Sequence, residues 1–171
     1  MGSKKYKLPK CEKKTIPLDT IKQTNQYYVS EIQLKYKTNF DPENSPRIKV
    51  SKDAYKVFLQ MWSDNIQFVE EFNILLLNRS NYVIGFSNVS KGGIAGTVVD
   101  AKIIFSTAIL ASTSSIILAH NHPSGGLQPS QADFDITQKL KTGAKALDIM
   151  ILDHLIITPH KYYSFADEGK L

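Results

Sequence analysis

A chain of 171 residues, 42% of them hydrophobic, can bury one ordinary core, and its single cysteine, Cys11, excludes an internal disulfide and any Cys-rich metal site. The longest apolar stretches, such as 74–77 and 116–119, are far too short to cross a bilayer, and the lysine-rich N-terminus has no apolar run behind it to act as a secretory signal, so a soluble cytoplasmic protein without a membrane partner is expected. The net charge of +5 is uneven, with 13 Lys and Arg against 7 acids in residues 1–65 and 8 against 9 in residues 66–171.

Residues 1–25 read as irregular, and Lys4, Lys5, Lys7, Lys10, Lys13 and Lys14 make them a basic arm. Such an arm can contact phosphates without sequence preference, or it can be a solvated tail; only Tyr6 is present to stack on a base. Residues 27–36 mix β-branched, aromatic and polar residues and suggest a strand, and 39–47, with two prolines, suggest a loop or linker. Ser51 can cap a helix whose apolar stripe is Ala54, Val57, Phe58, Met61 and Trp62. A hairpin follows: an apolar run at 72–77, the turn signal Asn78-Arg79-Ser80-Asn81, and a second strand over 82–89. Gly92, Gly93 and Gly96 form a connection that lacks the ending of a phosphate-binding loop. Residues 100–111 predict a helix packed through Ile103, Ile104, Ala108 and Ala111, and 115–119 predict a buried strand ending at His120. Ser130 opens a helix to about Leu147, burying Ile136, Leu140, Ala144 and Leu147; a strand over 149–157 and a short edge strand over 162–165 close the chain. This order favours an α/β or α+β domain with one sheet between helices, residues 51–171, preceded by a basic extension, residues 1–50.

The chemistry concentrates after the buried strand. His120 and His122, at i and i+2, project to one side of an extended chain, and the return through Gly125, Gly126 and Pro129 brings back Ser130 and Asp133. Two imidazoles and a carboxylate are the ligand set of a catalytic zinc, with the fourth tetrahedral position left for water. Ser130-x-x-Asp133 before a helical run also has the form of a capping box; a cap can hold the helix start while Asp133 turns one oxygen to the metal. A hydrolytic site further needs a base. Glu70 and Glu71 precede the strand at 72–77, and as strand neighbours only one can reach the site; the other reading leaves both solvated at the strand mouth. Asp153 and His154 form a polar pair in a late strand, read either as orienting the ligands from behind or as making an ordinary structural hydrogen bond.

The segment Ala119-His120-Asn121-His122-Pro123-Ser124-Gly125, with Pro129-Ser130-Gln131-Ala132-Asp133, resembles the bacterial RadC-type family of the JAMM (MPN+) metalloprotease superfamily. The resemblance covers about residues 66–171 and takes in Glu70-Glu71-Phe72, Leu152-Asp153-His154 and Tyr163-Ser164-Phe165. It implies a three-layer sandwich with a central mixed sheet flanked by helices. It also implies zinc ligands at His120, His122 and Asp133, an oxyanion-assisting serine at Ser130, and a catalytic glutamate at Glu70, since one residue separates glutamate from phenylalanine in that pattern. Asn121 stands where deubiquitinating members of the superfamily usually carry Ser or Thr, which leaves the substrate open.

Three functions compete. The first is a zinc hydrolase cutting a peptide or isopeptide bond in a protein or peptide substrate. The second is a DNA-repair or mobile-element-associated factor that binds nucleic acid through the basic arm, and the third is a metal-binding module without turnover. A cytidine-deaminase-like enzyme is disfavoured, because Cys11 stands alone and no Pro-Cys-x-x-Cys is present.

Overall fold

The computed structural model describes residues 40–93 and 98–171, together with the strand pairs at 23–24 and 27–28. The chain divides into two compact units, residues 1–35 and 36–171. In the first, β1 (Gln23–Thr24) pairs antiparallel with β2 (Tyr27–Tyr28). β1 thus falls in a stretch whose sequence reads as irregular, and the strand expected over 27–36 is described only at its first two residues. The six lysines of the basic arm lie outside the described residues.

The second unit is built on one five-stranded mixed sheet in the order β4-β3-β5-β6-β7. Its elements are α1 (Ser51–Met61), β3 (Glu71–Leu77), β4 (Val83–Lys91), α2 (Ala101–Leu110), β5 (Ser115–Asn121), α3 (Gln131–Lys145), β6 (Met150–Ile157) and β7 (Tyr162–Ser164). β3 pairs antiparallel with β4 and β5, β5 runs parallel to β6, and β7 returns antiparallel along β6. Strand alternation sorts the side chains into two cores. Leu75, Leu77, Ile117, Ala119, Leu155 and Ile157 pack against Ala54, Val57 and Phe58 of α1. Phe72, Ile74, Leu76, Ile116 and Leu118 pack on the other face against Ile104 and Ala108 of α2 and Leu140 and Ala144 of α3. Because helices cover both faces, the central strand β5 is buried throughout, and its residues 116–119 read as a continuous apolar run. The expected three-layer α/β architecture is the one observed. Among the described residues no helix is long and apolar enough to cross a membrane.

Local details differ from the sequence reading in instructive ways. The cap of α1 is Val50, not Ser51; Asp53 accepts the backbone N–H groups of Lys49 and Val50, and the Ser51 hydroxyl instead meets the Tyr162 hydroxyl at 3.1 Å and the Asp167 carboxylate. Packing also begins upstream of α1, where Ile48 is buried and residues 46–48 pair with 81–83 through Ile48 N–H to Asn81 O and Val83 N–H to Pro46 O. Met61, Ile103 and Leu147, expected in the apolar stripes, are exposed, whereas the polar Thr137 is buried on α3. β6 carries a bulge: Ile151 pairs with Ile116 and Asp153 with Ile117, leaving Leu152 as an extra residue. After it, Leu155 and Ile157 face α1, so His154 faces α2 and α3 and Asp153 does not.

Candidate metal centre

His120 lies at the end of β5 on the face shared with Ile116 and Leu118, and its ring is almost fully buried. Phe72, its Cα partner on β3, stacks parallel to it with ring centroids 6.2 Å apart. His122 leaves the strand on the same side. The chain then turns at once, with Gly125 N–H donating to His122 O at 2.9 Å and Gly125 itself at φ 80, a conformation that favours glycine. The turn also brings Gly126 O to 2.9 Å from His122 Nδ1, which places the N–H on that nitrogen and leaves Nε2 as a free lone pair.

Ser130 is the N-cap of α3 and forms the capping box legible in the sequence. Asp133 Oδ2 accepts both the backbone N–H and the hydroxyl of Ser130 at 2.7 Å, while Oδ1 turns to His120 Nε2 at 3.1 Å. One carboxylate oxygen serves the helix start and the other serves the site. Burial pushes the Asp133 carboxyl up, but His120 beside it and the donors of Ser130 outweigh this and hold it well below the usual carboxylate range.

The three ligand atoms converge. His120 Nε2 and His122 Nε2 are 3.0 Å apart, His122 Nε2 lies 3.9 Å from Asp133 Oδ2, and one ligand atom from each residue falls within 4.8 Å of the others. A tetrahedral ion with bonds of about 2.0–2.1 Å sets its ligands about 3.3–3.4 Å apart, so these side chains fit a zinc-sized ion. Two ring nitrogens and a carboxylate facing one another at such distances form a group that could hold a metal ion.

The late polar pair separates into two roles. His154 is fully buried, and its Nε2 lies 2.9 Å from His120 Nδ1 and its Nδ1 2.6 Å from the Thr137 hydroxyl. Burial lowers its basicity well below the ordinary histidine range. Phe165 stacks on its ring. Asp153 instead points away and accepts the Ser164 hydroxyl at 2.6 Å and the N–H groups of Ala166 and His154, tying down the C-terminal turn. Sequence reasoning missed Thr137; its signal is the helical spacing of four from Asp133.

The two glutamates also separate. Glu71 is buried, not solvated: its carboxylate accepts the Ser63 hydroxyl at 2.7 Å and pairs with Lys91 at 3.3 Å, on the face away from the histidines. Glu70 precedes β3, and alternation from Phe72 puts it on the histidine face; the β3–β5 register continued by two residues sets it opposite His122. Between the two histidines, Asn121 turns to the opposite face. Its amide donates to Ile66 O and Val69 O and its oxygen accepts Glu71 N–H, so the segment leading to the glutamates is pinned to β5.

The RadC-like JAB domain model matches residues 48–170. The chain is similar to a UPF0758 protein of Flavobacterium johnsoniae, 51% identical over 123 residues, or 72% of this chain and 53% of that protein. A UPF0758 protein of Porphyromonas gingivalis is 43% identical over 71% of this chain and 53% of its own length. UPF0758 protein YfjY of Escherichia coli is 42% identical over 60% of this chain and 64% of its own length. The chain spans about half the length of the first two relatives. With the family pattern spread over the sheet, the ligand loop and the last strands, the chain belongs to the RadC-like JAB domain family.

Proposed function

We propose that this domain is a zinc-dependent hydrolase that cuts a peptide or isopeptide bond with an activated water. The observation that carries the reading is the convergence of His120 Nε2, His122 Nε2 and Asp133 on one point at the end of β5. When bound, a zinc ion supplies a Lewis acid that brings the pKa of water to about 7 and polarises a carbonyl oxygen. Glu70 then takes the water proton on its carboxylate and returns it to the leaving amine nitrogen. Ser130 donates its hydroxyl to the developing oxyanion; the rotation this needs is inexpensive, because its backbone N–H keeps Asp133 Oδ2 in place at 2.7 Å. Phe72 and Phe165, stacked on His120 and His154, keep water from the back of the site.

The test is elemental analysis with a cleavage assay. The wild type should carry about one equivalent of zinc, His120→Ala and His122→Ala should largely lose it, and only the loaded wild type should cut a mixture of peptides and isopeptide-linked conjugates read by mass spectrometry. Full zinc occupancy in both variants would sink the assignment; occupancy without cleavage would favour a metal-binding module.

The lysine-rich N-terminal arm leaves two readings, a weak electrostatic nucleic-acid contact or a solvated tail. A titration of labelled DNA at two salt concentrations, with residues 1–14 present or deleted, tests it.

A further inference from the structure

We propose that Thr137, acting through His154, decides which ring nitrogen of His120 carries the proton and so keeps Nε2 open to a metal ion; this rests on the metal reading above. One hydrogen-bonded chain links Asp133 O, Thr137, His154 and His120. The backbone carbonyl of Asp133 can only accept, and the Thr137 hydroxyl lies 2.5 Å from it. A hydroxyl has one proton, so with that proton given to Asp133 O the Thr137 oxygen is left to accept from His154 Nδ1 at 2.6 Å. A neutral His154 with its proton on Nδ1 has a lone pair on Nε2, which accepts from His120 Nδ1 at 2.9 Å. His120 then has its one proton on Nδ1, and Nε2 faces His122 and Asp133 as a lone pair.

The opposite polarity closes the site. If the Thr137 proton went to His154, His154 would donate to His120, whose own proton would move to Nε2 and bond to Asp133 Oδ1, 3.1 Å away. Water cannot replace Thr137 as the deciding partner, because Thr137 and His154 are 1% and 0% exposed. The chain begins on one ligand and ends on the backbone of another, so it also sets α3 against β5 across the intervening β6. Thr137 and His154 are therefore positioning residues that act through His120.

Thr137→Val keeps the shape and removes both the donor and the acceptor, leaving His154 free to hold its proton on Nε2, the closed polarity. Thr137→Ser keeps both. Zinc affinity is measured by competition with a chromophoric chelator, and the histidine tautomers are read from long-range proton–nitrogen correlation spectra of the full chain. The expected result is a 10–100-fold loss of zinc affinity in Thr137→Val, as for other partners behind metal ligands, recovery in Thr137→Ser, and the Nδ1–H form of His154 in the zinc-loaded wild type. Wild-type affinity in Thr137→Val with a lowered melting temperature would make Thr137 merely structural and overturn the proposal. So would an Nε2–H form of His154 in the loaded wild type. A wild type that takes up no zinc would instead overturn the metal reading itself, and this proposal with it.

Discussion

Asn121 Oδ1 accepts the backbone N–H of Glu71 at 2.7 Å, so the residue between the two candidate histidine ligands holds the residue beside the candidate base. Its amide is also fully used, on Ile66 O and Val69 O at 2.7 and 2.8 Å. Asn121→Ala should lower unfolding stability by about 1–3 kcal/mol or more, since it leaves backbone groups without partners in a buried place. Zinc uptake should persist, because the side chain points away from the ligands. Denaturant unfolding and metal analysis of the same preparation check both parts; lost zinc at unchanged stability would contradict this account.

Glu70→Gln should keep zinc and lose turnover by a factor of about 10²–10⁴, the contribution expected of a positioned base. Glu71→Gln should act on stability instead, because its carboxylate is buried among Ser63, Asn88 and Lys91. Activity per folded molecule should then be unchanged. The opposite pattern would mean that the base lies on the other face of β3.

The double duty of Asp133 predicts that its two variants part company. Asp133→Asn retains an oxygen for the Ser130 N–H and should melt close to the metal-free wild type while failing to hold zinc. Asp133→Ala should lose zinc and also about 1 kcal/mol of stability, as when other helix caps are removed. With free zinc at about 100 times its dissociation constant, chelation should cost the wild type about 2.7 kcal/mol and both variants nothing. Thermal melts with and without chelator measure this.

Burial raises the Asp153 carboxyl above 3.8, outweighing the hydrogen bonds from Ser164, Ala166 and His154 that lower it. As pH rises from 3.8 toward the raised folded value, the unfolded chain gives up this proton before the folded one does. Asp153 therefore makes stability fall with pH across that window and adds a constant penalty above it. Asp153→Asn should flatten that part of the profile. Urea midpoints of both proteins at a series of pH values check it, and parallel profiles would refute the assignment.

A Cβ on Gly143 of α3 would stand 2.7 and 2.9 Å from ring atoms of Phe105 on α2. Gly143→Ala should therefore destabilise by about 1–3 kcal/mol from overpacking, offset by about 1 kcal/mol of helix propensity. Adding Phe105→Leu should recover much of the loss. A double-mutant cycle of unfolding free energies with no coupling would show that the two residues do not compete for space.

The candidate ligands His120, His122 and Asp133 are legible in the sequence because they are local: with the helix cap Ser130 they lie within one strand end, one turn and one helix start. The layers are legible for a similar reason, since the run at 116–119 is apolar on both faces and requires cover on both sides. What spacing does not carry is contact between elements distant in the chain. Thr137 reads as a polar residue in a helix until β6 brings His154 against it. Glu71 reads as a solvated strand mouth until Ser63 and Lys91 close over its carboxylate. Met61, Ile103 and Leu147 have the right period but sit at the margins of their stripes, beyond the sheet's reach.

The bulge in β6 means that its two halves are read in different frames. Upstream, Ile149 and Ile151 pack toward α2 and α3 in one phase; downstream, the phase is reset so that His154 takes that side. Leu152 is the surplus residue that performs the reset. A chain lacking it could run the ladder straight through and still present Asp153 and His154 to the same sides. Forcing Leu152 into the pairing opposite Ile117 would turn every later side chain over, withdrawing His154 from Thr137 and offering Asp153 in its place. A length difference of one residue is thus best tolerated at position 152, and a shift of the ladder is tolerated least.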